Sequence, residues 1–306
     1  MEKRYEEAVG LLREMIRIPS LSKQEAGTAE LLAGFLGRHE VEVHRLKNNV
    51  WAFNKHYDPA RPTILLNSHH DTVKPNGGYT RDPFSPDIEG DRLYGLGSND
   101  AGASGVSLLA AFLHFYDRRD LKYNLCVAIT AEEENSGADG LELVIPELGP
   151  IEFAIVGEPT LMQLAIAERG LMVIDCTVRG KAGHAAREEG DNAIYKAMRD
   201  IEWFRTYRFP LESELFGAVK MSVTIIQAGT QHNVVPAECH FTVDVRVTDR
   251  YTNEQVLEII REHVSCEVNP RSTRLKPSSI DPAHPIVQAG LALGRTTYGS
   301  PTTSDQ

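Results

Sequence analysis

Acidic side chains and one histidine follow the ends of several strongly apolar segments of this chain. Carboxylates placed this close together repel one another unless they diverge or meet a cation. Oxygen-rich ligand sets with a single imidazole and no thiolate suit Zn²⁺, Co²⁺ or Mn²⁺ in a hydrolytic site. The segments SHHDTV, GLGSND, AEEENSG and VGEPT contain the candidates His69, Asp71, Asp100, Glu132, Glu133, Glu134 and Glu158.

The first pair has a spacing that favours metal binding. His69 and Asp71 are two residues apart, so in an extended segment their side chains project to the same side. Asp71 can then accept the ring N–H of His69 and fix its tautomer, as partners of metal-binding histidines do. A surface histidine in a turn is the alternative. His70 projects to the opposite face, where we expect a structural role.

The run Glu132–Glu134 permits a division of roles, in which one carboxylate binds a metal and its neighbour acts as a general base. A solvated acidic loop is the alternative. Asp100 can also be explained as a helix N-cap, and Glu158 as an isolated residue in a turn fixed by Pro159. Four such segments are expected to bring their carboxylates and one histidine to the same edge of the sheet, and this convergence favours the metal site.

These segments need a scaffold that brings them together. Strands alternating with helices predict a mostly parallel sheet flanked by helices, an α/β fold. In such sheets, sites form at the carboxyl ends of the strands. The pattern predicts helices at about 2–17, 22–37, 102–117 and 138–145, and strands at 41–45, 49–54, 63–67, 123–130 and 152–156.

The pattern changes near residue 165. Residues 170–179, 218–228 and 237–247 alternate apolar and polar positions, which predicts half-buried strands. Helices are expected between them, at about 190–206 and 253–264, and a Pro- and Ser-rich linker at about 270–285. We predict a first catalytic part at 1–165, an inserted α+β domain at 166–272, and a return to the catalytic domain at 273–306.

Composition excludes several classes of partner. The formal net charge of −11 argues against nucleic acid and anionic membranes, which require a basic surface. The N-terminal segment has no apolar core typical of a signal peptide, and no run is long enough to span a bilayer. Four scattered cysteines predict buried free thiols in a reducing compartment. We therefore expect a cytoplasmic protein.

The four segments, in this order and spacing, resemble the metallopeptidase M20 family, which includes acetylornithine deacetylase and succinyl-diaminopimelate desuccinylase. The resemblance implies a zinc-exopeptidase-like catalytic domain interrupted by a lid that also forms a homodimer. It implies two divalent metal ions per subunit, Zn²⁺ or Co²⁺. By matching, His69 and Glu158 hold one metal, Asp100 bridges and Glu134 binds the second. Glu133 matches the general base and Asp71 the residue that orients the histidine, while Glu132 stands where the family usually has Asp.

The resemblance also extends to the lid. His184 in GKAGHAA matches a histidine that reaches into a neighbouring active site and stabilises the oxyanion. Asn233 and Arg246 match residues that contact the substrate, and Arg246 suits a bidentate grip on an α-carboxylate. Without the resemblance, His184 is explained as a surface residue and Arg246 as a salt-bridge partner.

The implied reaction is amide hydrolysis of a small N-acyl amino acid. The segments most resemble the branch that deacetylates N-acetylornithine or N-acetylcitrulline in arginine biosynthesis. Desuccinylase and dipeptidase activity remain open, as does a metal-binding relative without activity. The Gly-rich segment at 93–105 also resembles a nucleotide-binding loop, but it lacks the G-x-G-x-x-G spacing.

One departure from the family concerns its last metal ligand, a histidine beyond a segment like PTTSDQ (301–306). The sequence ends at Gln306. No other histidine after Glu158 stands in a matching context. We therefore expect weakened binding of the second metal and poor turnover.

Overall fold

Five strands form the central sheet of the first of two units. The computed structural model describes residues 2–304, and it divides into a unit at residues 2–161 and a unit at 162–304. The helices of the first unit are α1 (Glu2–Arg17), α2 (Ala26–Arg38), α3 (Ser104–Phe115) and α4 (Leu141–Leu148). Its strands are β1 (His44–Leu46), β2 (Asn49–Phe53), β3 (Thr63–His69), β4 (Ile88–Glu89), β5 (Arg92–Leu93), β6 (Asn124–Thr130) and β7 (Ile151–Val156).

The central sheet has the strand order β1-β2-β6-β3-β7. The strands β6, β3 and β7 are parallel neighbours, whereas β1 and β2 are antiparallel additions at one edge. A two-residue hairpin at Lys47 and Asn48 joins β1 to β2, and a connection this short permits only antiparallel pairing. The sheet is therefore parallel at its centre and mixed at its edge.

Both faces of this sheet are covered, which explains why β6 is buried at every position. One face packs against α1, α2 and α3 through a cluster that includes Leu12, Leu32 and Phe112. The other face packs against α4, where Val144 and Leu148 meet buried residues of the strands. The prediction of an α/β fold with helices on both faces is confirmed.

The second unit contains two further sheets and a short ribbon. Its helices are α5 (Ala193–Thr206), α6 (Asn253–His263) and α7 (Pro285–Ala292). Its strands are β8 (Leu164–Glu168), β9 (Gly170–Arg179), β10 (Gly183–His184), β11 (Lys220–Ala228), β12 (Val234–Val235), β13 (Glu238–Val247), β14 (Glu267–Pro270), β15 (Ser278–Ser279) and β16 (Thr297–Ser300).

The larger sheet of this unit is antiparallel, in the order β11-β13-β9-β14. Its core side packs against α5 and α6, and burial alternates along β9 as the sequence predicts. Helix α5 begins after Asn192, whose side chain accepts from the N–H of Ile194, and α6 begins with a capping box between Thr252 and Gln255. These caps set the helix starts within three residues of the predicted positions.

The smaller sheet joins β15, β8 and β16. All three strands lie within residues 162–304. The boundary between the two units, at 161/162, falls four residues before the predicted change at 165/166. The assignment of 273–306 to a catalytic domain stays a prediction. The four cysteines are buried and free, as predicted.

Candidate metal centre

The candidate site lies at the carboxyl ends of the three parallel strands. His69 is the last residue of β3, Glu133 follows β6, and Glu158 follows β7. Because these strands are parallel neighbours, their ends meet at one edge of the sheet. Asp100 reaches the same edge from the turn Ser98–Ala103, immediately before α3, in which Asp100 itself has a non-helical backbone. The Asp100–Ala101 peptide is cis.

His69 is fully buried, and carboxylates surround its ring. Its Nδ1 lies 3.0 Å from the carbonyl oxygen of Asp71 and 3.3 Å from the carboxylate Oδ1 of the same residue. Its Nε2 lies 3.1 Å from Oδ1 of Asp100, 3.7 Å from Oε1 of Glu158 and 4.0 Å from Oε2 of Glu133. With Nδ1–H donating to Asp71, Nε2 points at the other three carboxylates.

The electrostatics of this histidine indicate a site built for a cation. Burial lowers the pKa of His69, but hydrogen bonds to Asp100 and Asp71 and the charge of Glu158 raise that pKa to about 11. The metal-free site therefore holds a proton on His69 to offset the surrounding negative charge. A divalent cation opposite Nε2 would satisfy the same carboxylates more fully.

Glu134 belongs to the same group. One ligand atom each from His69, Asp100 and Glu134 lies within 4.8 Å of the other two. Burial and the neighbouring charge of Asp100 raise the pKa of Glu134 to about 7, with a smaller contribution from Glu133. One imidazole and clustered carboxylates fit Zn²⁺, Co²⁺ or Mn²⁺. The residues present therefore fit the metals implied by the sequence.

Asp71 connects the segment after β3 to the segment after β6. Its buried carboxylate accepts from the backbone N–H groups of Glu133 and Glu134, each at 3.1 Å, and from the hydroxyl of Ser22 at 2.7 Å. Burial would raise the pKa of Asp71, but its contacts with His69 and Ser22 hold it below the ordinary value. Asp71 stays ionised and orients the residues on both sides of it.

Glu132, although adjacent to the site, faces different neighbours. It has a left-handed backbone with φ of 59° and is largely buried. Burial raises the pKa of Glu132, and the charges that act on it most are those of Lys23 and Asp139. Its carboxylate lies close to Gly137, where a Cβ atom would stand 1.8 Å from Oε2. The turn at Glu132 thus separates the first carboxylate from the following two.

His70 lies on the opposite side of the strand from His69, as the alternation predicts. It is buried, with Nδ1 2.7 Å from the hydroxyl of Thr28 and Nε2 2.9 Å from the carbonyl oxygen of Asn48. Burial lowers its pKa to about 4, so the ring is neutral at physiological pH. His70 therefore supports the segments behind the site.

The candidate residues of the second unit have different surroundings. His184 and Asn233 are exposed and lie near each other, because β10 pairs with β12 and the N–H of Ala185 donates to the carbonyl oxygen of Asn233. Arg246, on β13, donates to both carboxylate oxygens of Asp244 at 2.8 and 3.1 Å. The salt-bridge explanation of Arg246 is thus realised, and the substrate-binding roles of these residues stay predictions.

Ser22 was not predicted, and no sequence signal marks it, because it lies 49 positions from the Asp71 that it contacts. Residues 305 and 306 of the segment PTTSDQ lie outside the described residues, and the weakened binding of the second metal stays a prediction.

In the part of the chain that the structure describes, none of the helices combines the length and apolar character needed to cross a membrane.

Comparisons with known proteins agree with this geometry. Residues 166–270 match the M20 peptidase dimerisation domain. A succinyl-diaminopimelate desuccinylase 2 of a Ruegeria species is 28% identical over 276 residues, covering 83% of this chain and 69% of the relative. A succinyl-diaminopimelate desuccinylase of Gluconobacter oxydans is 28% identical over 278 residues, covering 83% of this chain and 72% of the relative.

Solved structures show the same fold. The aminopeptidase PepT of Bacillus cereus superposes with a TM-score of 0.76 at 20% identity, covering 98% of this chain and 86% of its own. An M20 metallo-carboxypeptidase of Sulfolobus solfataricus gives 0.76 at 18% identity, with 97% and 86% covered. A dinuclear metal-binding M20 peptidase of Bacillus subtilis gives 0.72 at 19% identity, with 100% and 85% covered. The predicted resemblance to the M20 metallopeptidases is confirmed.

Proposed function

We propose that this chain, which has the fold and the dimerisation domain of the M20 metallopeptidases, hydrolyses the amide bond of an N-acyl amino acid with the help of two divalent metal ions. One observation carries the proposal. The carboxylates of Asp100, Glu133, Glu134 and Glu158 surround the Nε2 side of a buried histidine at one edge of the sheet.

The metal ligands that we propose are those matched from the sequence. His69 and Glu158 would hold one ion, Asp100 would bridge, and Glu134 would hold the second. Zn²⁺ and Co²⁺ both suit this donor set. When bound, such ions polarise the amide carbonyl and lower the pKa of water, which is the Lewis-acid chemistry that hydrolysis needs.

The remaining groups of the chain would move protons and hold the substrate. Glu133 takes a proton from the attacking water and passes it to the amine nitrogen as the C–N bond breaks. The N–H of Glu133 donates to Asp71, so the same carboxylate that orients His69 also places the base. One water is consumed, and a carboxylic acid and a free amino acid are formed.

Residues of the dimerisation domain complete the proposed mechanism. His184 would stabilise the negative oxygen that develops at the carbonyl carbon, acting in the active site of a neighbouring subunit. Arg246 would hold the α-carboxylate through two parallel hydrogen bonds, and Asn233 would contact the substrate nearby. Asp244 already aligns the guanidinium of Arg246, which reduces the freedom that binding must remove.

Two acyl groups are candidates. The segment NSHHDTV, together with LYGLGSNDAG, resembles deacetylases of N-acetylornithine or N-acetylcitrulline, which act in arginine biosynthesis. The curated relatives in Ruegeria and Gluconobacter are desuccinylases of succinyl-diaminopimelate, which favours an N-succinyl amino acid as the second candidate. Both substrates have the same scissile amide and an α-carboxylate for Arg246.

A substrate panel tests the proposal. The metal-loaded chain is assayed for amine release from N-acetylornithine, N-acetylcitrulline and N-succinyl-diaminopimelate, with Glu133→Gln as the matched inactive control. We expect hydrolysis of at least one of the three that depends on added Zn²⁺ or Co²⁺. A chain that hydrolyses all three as slowly as Glu133→Gln contradicts the proposal.

A homodimer through the second unit is part of the proposal. Strand β11 is an edge strand, and its Ile225 and Ile226 are about half exposed. The neighbouring helix α5 exposes Tyr195 and Met198, so apolar side chains lie near a strand edge that has no partner strand among residues 2–304. Ile226→Lys should convert the dimer to a monomer in light scattering, whereas a dimer that persists unchanged argues against this surface.

A further inference from the structure

The loop between α1 and α2 lies directly behind the candidate metal centre. Thr72 donates its N–H to the carbonyl oxygen of Ser20 at 2.8 Å, and Leu21 pairs with Thr72 in a parallel β-bridge. The hydroxyl of Ser20 donates to the carbonyl oxygen of His70 at 2.8 Å. The loop thus extends the pairing of the sheet past the end of β3 and runs beside Asp71.

This placement brings the hydroxyl of Ser22 to the carboxylate of Asp71. Each carboxylate oxygen then has two donors. Oδ1 has the N–H of Glu133 at 3.1 Å and Nδ1 of His69 at 3.3 Å. Oδ2 has the N–H of Glu134 at 3.1 Å and the hydroxyl of Ser22 at 2.7 Å. Ser22 is therefore the donor that shares an oxygen with Glu134.

The loop holds Ser22 in place before any ligand binds. A turn closes from Leu21 to Gln24, with a hydrogen bond of 2.7 Å between their backbones. Lys23 has a left-handed backbone in this turn, and its N–H donates to Oε1 of the buried Glu25 at 2.5 Å. The other oxygen of Glu25 accepts from the side chain of Asn48 at 2.8 Å. The hydroxyl is thus preorganised by its own buried supports.

We infer that Ser22 is a positioning residue of the metal centre: its hydroxyl fixes the Asp71 carboxylate and, through it, the backbone that carries Glu134. The inference rests on the proposed function only in requiring that the centre binds metal. Without the hydroxyl, Oδ2 of Asp71 keeps a single donor, and the carboxylate gains freedom to rotate away from the N–H of Glu134. The contacts of Oδ1 with His69 and Glu133 are retained.

This asymmetry predicts which metal ion is affected. The ion that depends on Glu134 should bind more weakly when Ser22 loses its hydroxyl, and the ion that depends on His69 should change less. Partners that orient metal ligands in this indirect way contribute roughly 10- to 100-fold to metal affinity. We therefore expect Ser22→Ala to weaken binding of the ion that depends on Glu134 by about tenfold or more.

The experiment is a titration of the metal-free full chain with Co²⁺ in the presence of a competing chelator. The visible absorption of the bound Co²⁺ reports each binding step. Ser22→Ala is compared with Ser22→Thr, which restores a hydroxyl, and with Gln24→Ala, which changes an exposed side chain of the same turn. We expect Ser22→Ala to weaken one Co²⁺ equivalent, the one that depends on Glu134, more than the other, and Ser22→Thr and Gln24→Ala to bind like the wild type.

Several results overturn the inference. A Co²⁺ affinity of Ser22→Ala within twofold of the wild type removes the role of the hydroxyl. So does a Ser22→Thr variant that binds Co²⁺ no more tightly than Ser22→Ala. Equal weakening of both equivalents, with a lower unfolding midpoint, assigns Ser22 a structural role only. A wild-type chain that binds no Co²⁺ contradicts the proposed function as well, which distinguishes that failure from the others.

Discussion

The candidate residues of the two units differ in burial and in contacts. At the sheet edge of the first unit, His69 and Asp71 are buried, and their contacts lie with residues from other strand ends. In the second unit, His184 and Asn233 are exposed, and the guanidinium of Arg246 donates to Asp244, two residues away. The candidate residues of the first unit contact one another, and these contacts support a shared function. The candidate residues of the second unit can have a role in catalysis only when a substrate or a second subunit meets them.

The largest effect should come from the base of the first unit. Glu133→Gln keeps the shape and the N–H contact with Asp71 but cannot accept a proton, so kcat should fall by about 10²- to 10⁴-fold. Metal content, measured by elemental analysis, should not change. Rates within tenfold of the wild type would remove Glu133 from the mechanism and weaken the claim that the buried set is the catalytic one.

A smaller loss is expected from the exposed histidine of the second unit. Removal of one donor to a developing oxyanion costs roughly 10²- to 10³-fold in kcat, so His184→Ala should reduce kcat to this extent. His240→Ala, at another exposed position of the same unit, is the control. If both variants retain activity, His184 is a surface residue and does not stabilise the oxyanion.

Arg246 tests whether the second unit binds substrate. Arg246→Lys keeps the charge but loses the planar pair of donors, and hydrogen bonds to charged groups are worth about 1.5–3 kcal/mol. We expect KM to rise by about tenfold or more with kcat little changed. Steady-state kinetics on the hydrolysed substrate provide the measurement, and an unchanged KM would leave Arg246 as a partner of Asp244 alone.

The last comparison concerns protons at the buried set. The pKa of His69 is raised to about 11, so its ring holds a proton throughout the range from pH 7 to pH 10 in the metal-free chain. Metal must displace that proton, and part of one from Glu134, whose pKa is about 7. Metal affinity should therefore rise with pH across this range.

Calorimetry of metal binding in two buffers with different ionisation enthalpies measures directly how many protons are released. At pH 7 about one proton from His69 and a fraction from Glu134 should be released per chain. Affinity that is flat from pH 7 to pH 9 would show that the carboxylates around His69 do not act on it as the geometry indicates.

The sequence predicted the scaffold better than the supports of the site. Strands buried on both faces are continuous apolar runs in the sequence, so the ends of β3 and β6 were located within two residues. The i, i+2 spacing likewise placed Asp71 beside His69. The separation of Glu132 from Glu133 depends on one left-handed backbone angle, which a run of three identical residues cannot reveal. The role of Ser22 depends on a turn between two helices, far from Asp71 in sequence.

The four donors around Asp71 also limit how this position can change by mutation. A carboxylate has only acceptors, and each of its oxygens faces two donors. Asparagine, its closest isostere, would direct an NH₂ group at one of these donor pairs, and alanine would remove the acceptor of Ser22 and of the backbone N–H groups of Glu133 and Glu134. A replacement of Asp71 therefore disturbs three separate segments of the chain at once, because the same carboxylate contacts Ser22, His69 and the backbone of Glu133 and Glu134.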